Sequence, residues 1–158
     1  MITYKDIRLA VNRKLKTTGI DINSEDVSEG FNRPSFFVEF LNIARSSDEN
    51  QVHKSLSVQI YYFPTDRYKY AIEVLEMQET LENIFDLKLA IKDRLINVED
   101  INTGTVDGVL NCSFDLAFYD GREVKVGGGS IVDEMTKPDG YYESYPIEPM
   151  EILDIEKE

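Results

Sequence analysis

The chain has 158 residues, and a hydrophobic content of 42% at this length is typical of one globular domain with its own core. Its formal net charge of −13 repels polyanions, so the composition disfavours a general role in binding nucleic acid or anionic lipid. The single cysteine, Cys112, excludes a disulfide framework within one chain and predicts a small core residue.

The first segment of the chain lacks the apolar run of a secretory signal, and no stretch is long enough to span a bilayer. We therefore expect a cytoplasmic protein without a membrane partner. Residues 3–17 predict a helix that is basic on its outer side, and Gly19 follows as its stop. Its apolar stripe comprises Ile7, Ala10, Val11 and Leu15.

Residues 35–63 predict a β-hairpin with a long tip. Its first strand, residues 35–43, carries apolar residues on both faces, which is expected of a strand that is covered on both sides. Its second strand, residues 51–63, alternates strictly, and only Lys54 interrupts the apolar face. That face comprises Val52, Leu56, Val58, Ile60 and Tyr62.

A helix is predicted directly after this strand, because Pro64 ends the strand and Thr65 or Asp66 can cap the first free amides. Steps of four and three residues keep its apolar side chains on one stripe, which would lie on the sheet. The stripe comprises Tyr70, Val74, Met77, Leu81 and Ile84, widened by Leu75 and Phe85.

Two more strands are predicted, at residues 94–101 and 106–119, joined through residues 102–105. Gly108 would mark a bulge, and Asp120-Gly121 would form a hairpin turn. The resulting order is α-β-β-α-β-β. We expect an α+β fold, in which two helices pack on a mostly antiparallel four-stranded sheet.

A glycine run at residues 127–129 separates this domain, residues 1–126, from an acidic and partly apolar C-terminal arm, residues 127–158. The arm lacks the periodicity of a packed element but is too apolar for a simple solubility tail, so we expect it to order against another subunit. Its candidate interface residues are Ile131, Tyr141, Tyr142, Ile152 and Ile155.

Catalytic chemistry has no candidate constellation in this sequence. Its one histidine, His53, and its one cysteine both lie on strand patterns, which leaves no nucleophile and base pair. No metal-ligand spacing is present, and the glycine run lacks the lysine and the helix of a phosphate loop. We therefore predict a protein that is not an enzyme and has no metal or cofactor.

Two regions are candidates for protein contacts. The corner at residues 61–70 displays Asp66, Arg67 and Tyr68, which suits a repeated subunit contact and equally suits a capped turn with aromatic packing. The second helix carries a series of acids at steps of three: Glu73, Glu76, Glu79 and Glu82. They form either a solvated face that partly pairs with the basic first helix or an acidic surface that lines a channel and repels the DNA that passes through it. We take Glu73 and Glu76 as interface candidates.

The chain resembles the tail terminator proteins of prophages and phage-tail-like particles from Gram-positive bacteria. The resemblance covers about residues 1–120 and rests on four stretches. These are Ile2-Thr-Tyr-Lys-Asp-Ile7, Glu29-Gly-Phe-Asn-Arg-Pro-Ser-Phe-Phe-Val38, Ile60-Tyr-Tyr-Phe-Pro-Thr-Asp-Arg-Tyr-Lys-Tyr70 and Val106-Asp-Gly-Val-Leu-Asn-Cys-Ser-Phe-Asp-Leu116. Arg33, in the second stretch, joins the interface candidates.

The resemblance implies a small α+β protein that forms a homo-oligomeric ring, expected to be a hexamer, on the last ring of a tail tube. Its implied partners are the tube protein and the sheath or head-joining proteins, and DNA is at most a passing polyanion. The sequence departs from this family pattern in its long arm, for which the sheath of a contractile particle is the natural partner. The alternative is a monomeric adaptor or ligand-binding α+β module, which the mass of the protein in solution would distinguish.

Overall fold

The structure, a computed structural model, describes residues 1–24 and 32–122. Its helices are α1 (Tyr4–Lys16) and α2 (Ala71–Ile84). Its strands are β1 (Asp21–Asn23), β2 (Ser35–Ser47), β3 (Gln51–Phe63), β4 (Lys88–Ile91), β5 (Arg94–Asn97), β6 (Glu99–Val106) and β7 (Val109–Gly121).

The main sheet has five strands in the order β1-β2-β3-β7-β6, and every pair in it is antiparallel except β1 with β2. This arrangement confirms the α+β class and the hairpin predicted at residues 35–63. The hairpin does not have the long tip that was predicted, because its first strand continues past residue 43 to Ser47, which pairs with Val52. The sheet has one strand more than expected, because the short β1 pairs in parallel with the start of β2. A separate two-stranded hairpin is formed by β4 and β5.

The strand predicted at residues 94–101 is in fact divided between two sheets. Residues 94–97 pair with β4, whereas residues 99–106 pair with β7. The division falls beside Asp100, whose positive φ of 55° lies within an irregularity of the β6–β7 register. A register break of this kind bends a strand, so one run of strand-forming residues can serve two sheets.

The turn between the last two described strands also differs from the prediction. It lies at Asp107 and Gly108, with φ values of 52° and 77°, instead of residues 102–105. Two consecutive positive φ values are typical of the tight turns that match the twist of a hairpin. Gly108 is therefore a turn residue and not a bulge. Asp120 and Gly121, predicted as a turn, pair with Val52 and Gln51 as the end of β7.

Both helices contribute their apolar stripes to one core with the inner face of the main sheet. The stripe predicted for α1 is fully buried, and a reciprocal capping box between Thr3 and Asp6 fixes the start of that helix. In α2 the buried residues are Val74, Met77 and Leu81, followed by Phe85. Cys112 is buried as predicted, and burial raises the pKa of its thiol to about 12.

Leu75 does not widen the α2 stripe, contrary to the prediction, because its side chain is 61% exposed. One residue along a helix rotates the side chain by about 100°, which carries Leu75 from the position of buried Val74 to the solvent side. The outer face of β2 also differs from the prediction. Within the described residues Leu41 and Ile43 are 40% and 51% exposed, and no helix covers them.

Lys54 interrupts the apolar face of β3 as predicted, and the structure shows how a buried lysine is satisfied there. Its Nζ donates to the carbonyl of Ile2 over 2.8 Å and lies 4.8 Å from the centre of the Tyr4 ring. The amide of Ile2 donates to Asp120 Oδ2 over 2.8 Å, and Asp120 Oδ1 accepts from Arg94 over 2.5 Å. These hydrogen bonds and the Arg94–Asp120 ion pair, which together we name the N-terminal clamp, hold the N-terminal residues against β3 and β7.

Candidate subunit interface

The corner between β3 and α2 is held from inside by Arg33. A guanidinium nitrogen of Arg33 donates to the carbonyl of Pro64 over 3.0 Å, and the group lies 5.9 Å from the centre of the Phe63 ring. Pro64, which has no amide proton, directly follows the last residue of β3. Because Arg33 is half-buried, its main role here is to stabilise the corner, and it contributes little exposed charge to the surface.

Glu73 fixes the corner from the side of the helix. Its Oε2 accepts hydrogen bonds from the Tyr62 hydroxyl, from the Thr65 amide over 2.8 Å and from the Thr65 hydroxyl over 3.1 Å. Desolvation would raise the pKa of Glu73, but the hydrogen bonds from Tyr62 and Thr65 outweigh it and lower the pKa. The Oε2 atom of Glu73 therefore makes its hydrogen bonds within its own subunit.

The prediction that Thr65 or Asp66 caps the first amides of α2 is wrong. The helix begins at Ala71, and its N-cap residue, Tyr70, makes no side-chain capping bond. Asp66 instead closes a turn within the corner, because its Oδ1 accepts from the amides of Tyr68 and Lys69 over 2.7 and 3.1 Å. These bonds to the charged form lower the pKa of Asp66.

The turn made by Asp66 places Arg67 and Tyr68 in solvent. Tyr68 is 82% exposed, the largest value among the exposed large hydrophobic side chains of the described residues. Behind it, Tyr70 packs against the β6–β7 turn, where a Cβ on Gly108 would lie 3.1 Å from its ring. The base of the corner is thus rigid, while its tip offers an aromatic ring and a cation of the kinds enriched in interface centres.

The outer side of α2 combines apolar and acidic residues. Ile72 and Leu75 are 68% and 61% exposed, and Glu76 and Glu79 are also exposed. Glu82 accepts a hydrogen bond from Thr103 of β6 over 3.2 Å. In the described part of the chain, no ion pair joins these acids to the bases of α1.

The face of the main sheet away from the helices is mostly polar, although it also carries Phe37, Leu41 and Tyr119. Side chains on neighbouring strands bond to each other, including Ser57 to Asp115 over 2.6 Å and Tyr61 to Glu39 over 2.8 Å. His53 lies on this side, and its ring centre is 4.5 Å from that of Tyr119. Such a wet, hydrogen-bonded face differs sharply from the buried face opposite.

The structure brings Arg33, Asp66, Arg67, Tyr68 and Glu73 together at one corner, and places Glu76 one helical turn away. The candidate residues of the arm, Ile131, Tyr141, Tyr142, Ile152 and Ile155, lie outside the described residues. Sequence reasoning missed the exposed residues Ile72 and Leu75, although the 3.6-residue period places both of them away from Val74 and Leu81.

Among residues 1–24 and 32–122, no group of three His, Cys, Asp or Glu side chains could hold a metal ion. The same residues contain no helix that is long and apolar enough to cross a membrane. The displayed groups at the corner and on α2 are hydrogen-bonding, charged and aromatic side chains. Their arrangement suits contact with another protein surface.

The comparison with protein families identifies the class as a structural component of a phage tail. The model of the phage tail terminator protein family matches residues 6–127. The chain belongs to the phage tail terminator family. This is a family of structural proteins whose members contact other tail components.

No curated protein matches the chain. Ten chains of solved structures match, and one of them is similar at 14% identity and a TM-score of 0.40, over 80% of this chain and 100% of the other. A likeness this weak carries no argument about function.

Proposed function

We propose that this protein ends tail growth by capping the tail tube as a homo-oligomeric ring, which we expect to be a hexamer. The observation that carries the proposal is the family match over residues 6–127. A growing tube end is a repeating template, so growth stops when a ring that binds the end does not offer the same surface again. The proposed partners are the tube protein and the sheath or head-joining proteins.

The described residues support this proposal with surfaces of two kinds. The corner presents Arg67 and Tyr68 on a base that is fixed by Arg33 and Glu73. Preorganised contacts bind more tightly because less conformational entropy is lost on association. The polar outer face of the main sheet offers a second, chemically different surface, as a protein between a tube and a docking partner requires.

The assembly would take place in the cytoplasm of the bacterial host, Gram-positive by the sequence resemblance, and leave the protein at the head-proximal end of the tail. DNA would pass the ring only as a polyanion that the net charge of −13 repels. The arm, residues 127–158, would dock to a neighbouring subunit or to the sheath of a contractile particle.

Deletion of the gene from a particle-producing strain tests the proposal. We expect tails of uncontrolled length or tails that are not joined to heads, measured as a length distribution in electron micrographs. Supplying the wild-type chain in trans should restore the narrow distribution. Normal and competent tails from the deletion strain would contradict the proposal.

A further inference from the structure

The solvent side of α1 forms a basic stripe with an apolar centre. Lys5, Leu9, Arg13 and Lys16 follow one another at steps of four, four and three residues, which keeps them on one side of a helix. All four are exposed, and Leu9 is 50% exposed. We name these four residues the basic stripe.

The solvent side of α2 has the opposite charge and similar apolar content. We name Ile72, Leu75, Glu76 and Glu79 the acidic stripe, because they also follow helical spacing and are all exposed. Contact surfaces commonly combine exposed apolar residues with charges of a single sign. The apolar groups supply affinity, and the charges orient the partner.

The two stripes are not paired within the described subunit. The ion pairs in residues 1–24 and 32–122 are Lys92 with Asp6 and Arg94 with Asp120, and neither joins the two stripes. The helices also lie at different parts of the sheet. α1 contacts β4 of the separate hairpin and β1 at one edge of the main sheet, whereas α2 contacts β7 and β6 at the other edge.

We infer that the basic stripe of one copy docks against the acidic stripe of the next copy. This inference rests on the proposed ring and names the contact that would close it. Two different surfaces of the same chain form a heterologous contact, and repetition of a heterologous contact gives a ring when the rotation closes. Leu9 packs near Ile72 and Leu75, while Arg13 and Lys16 face Glu76 and Glu79.

Exchange of charges between the stripes tests this contact in the full chain. One variant carries Lys5→Glu and Arg13→Glu, which lie near opposite ends of α1 so that their effects on the helix dipole oppose each other. The second variant carries Glu76→Lys and Glu79→Lys in α2. Each variant then has two stripes of the same sign.

We expect purified wild-type protein to self-associate in sedimentation velocity at low salt, and less so in 1 M NaCl, where the screening length falls to about 3 Å. Each variant alone should associate more than about tenfold more weakly, because it juxtaposes like charges. An equimolar mixture of the two variants should associate again, since every contact in it can then join opposite charges.

Controls separate this contact from folding and from net charge. Circular dichroism should show the same helix content and unfolding temperature for both variants. The single variants Arg13→Glu and Arg45→Glu, the latter at the exposed part of β2, change the net charge equally, and only Arg13→Glu should weaken association. A wild-type chain that remains monomeric, or variants that associate like wild type, would overturn the inference.

A mixture of folded variants that fails to associate would also overturn it. The α2 variant could also leave association unchanged and hold DNA back in the tails that carry it. That result would place the acidic stripe in a channel for DNA and would overturn the contact. Charge-dependent association together with normal tails in the deletion strain would refute the capping function and leave this contact standing. Abnormal tails in the deletion strain together with charge-independent association would refute this contact and leave the capping function standing.

Discussion

Glu73 in the first turn of α2 accepts a hydrogen bond from the amide of Thr65, with 2.8 Å between Oε2 and the nitrogen. The helix therefore fixes the loop that leads into it, whereas helices are more often capped by the residues before them. The same oxygen accepts from the Tyr62 hydroxyl at the end of β3. One carboxylate thus joins strand, corner and helix.

Glu73→Gln should reduce the stability of the subunit mainly near neutral pH. The hydrogen bonds lower the pKa of Glu73 below its ordinary value of 4.5, so the folded state favours the charged carboxylate. Its contribution is present above pH 4.5 and is lost as the pH falls through the lowered folded-state pKa. Urea unfolding of wild type and variant from pH 3 to 7 measures this difference, with Glu79→Gln, which is exposed, as the control.

Equal stability of the wild type and Glu73→Gln throughout that range would show that the carboxylate does not fix the corner. A loss of stability that grows toward low pH would contradict the sign of the effect. Glu73→Ala should cost about 1 kcal/mol, which is less than a hydrogen bond to a charged group usually contributes, because the site is partly exposed.

Arg67→Ala with Tyr68→Ala should weaken ring assembly much more than it weakens the folded subunit. Both residues are exposed, so their truncation should change the free energy of unfolding by less than about 0.5 kcal/mol. A truncated interface anchor costs about 2 kcal/mol or more, and a ring repeats each contact. Thermal unfolding and tail-end occupancy measure the two effects.

Asp66→Ala with Arg67→Ala should also weaken assembly, either because the turn at Asp66 is lost or because Arg67 is an interface anchor. Asp66→Asn with Arg67→Ala separates these two causes. Asn can still accept the amide protons of Tyr68 and Lys69 and so keep the turn. If the Asn pair assembles like wild type, the corner is a structural turn and Arg67 is not an anchor. Equal loss of subunit stability and of assembly in the Ala pair would lead to the same conclusion.

Asp120→Ala should strongly destabilise the folded subunit, because it leaves Arg94 and the Ile2 amide without their acceptor. Breaking one side of a fully buried pair costs about 3 kcal/mol or more, and the cost here should be nearer about 2 kcal/mol because Asp120 is buried but the Arg94 side chain is 38% exposed. Asp93→Ala, an exposed acid in the β4–β5 turn, is the matched control and should be neutral. Urea unfolding that does not distinguish the two variants would show that the N-terminal clamp contributes little.

A chain that ends at Gly127 should fold and should fail to support full tail assembly. The described unit of Met1–Gly121 already contains the core formed by both helices and the main sheet. The removed residues carry the apolar side chains that we propose for docking, and ordering them should occur only on a partner surface. Failure of the truncated chain to fold would place the arm in the core, and full assembly would remove its docking role.

The sequence predicted the α+β class, the hairpin of β2 and β3 and the buried stripes, because period 2 and period 3.6 leave clear patterns. It did not predict that residues 94–101 divide between two sheets, since both parts favour strands and only tertiary pairing separates them. The predicted elements also missed the turn at Asp107-Gly108, although this pair is a strong hairpin signal. The role of Glu73 depends on a contact across eight residues that no local pattern encodes.

The proposed function depends most on the position of the protein at the end of the tube. Gold labelling of a tagged, functional chain on purified tails tests this position directly. We predict label at the head-proximal end of every finished tail, in the amount of one ring of about six copies, with none along the tube. Label distributed along the tube, or finished tails without label at that end, would contradict the capping function.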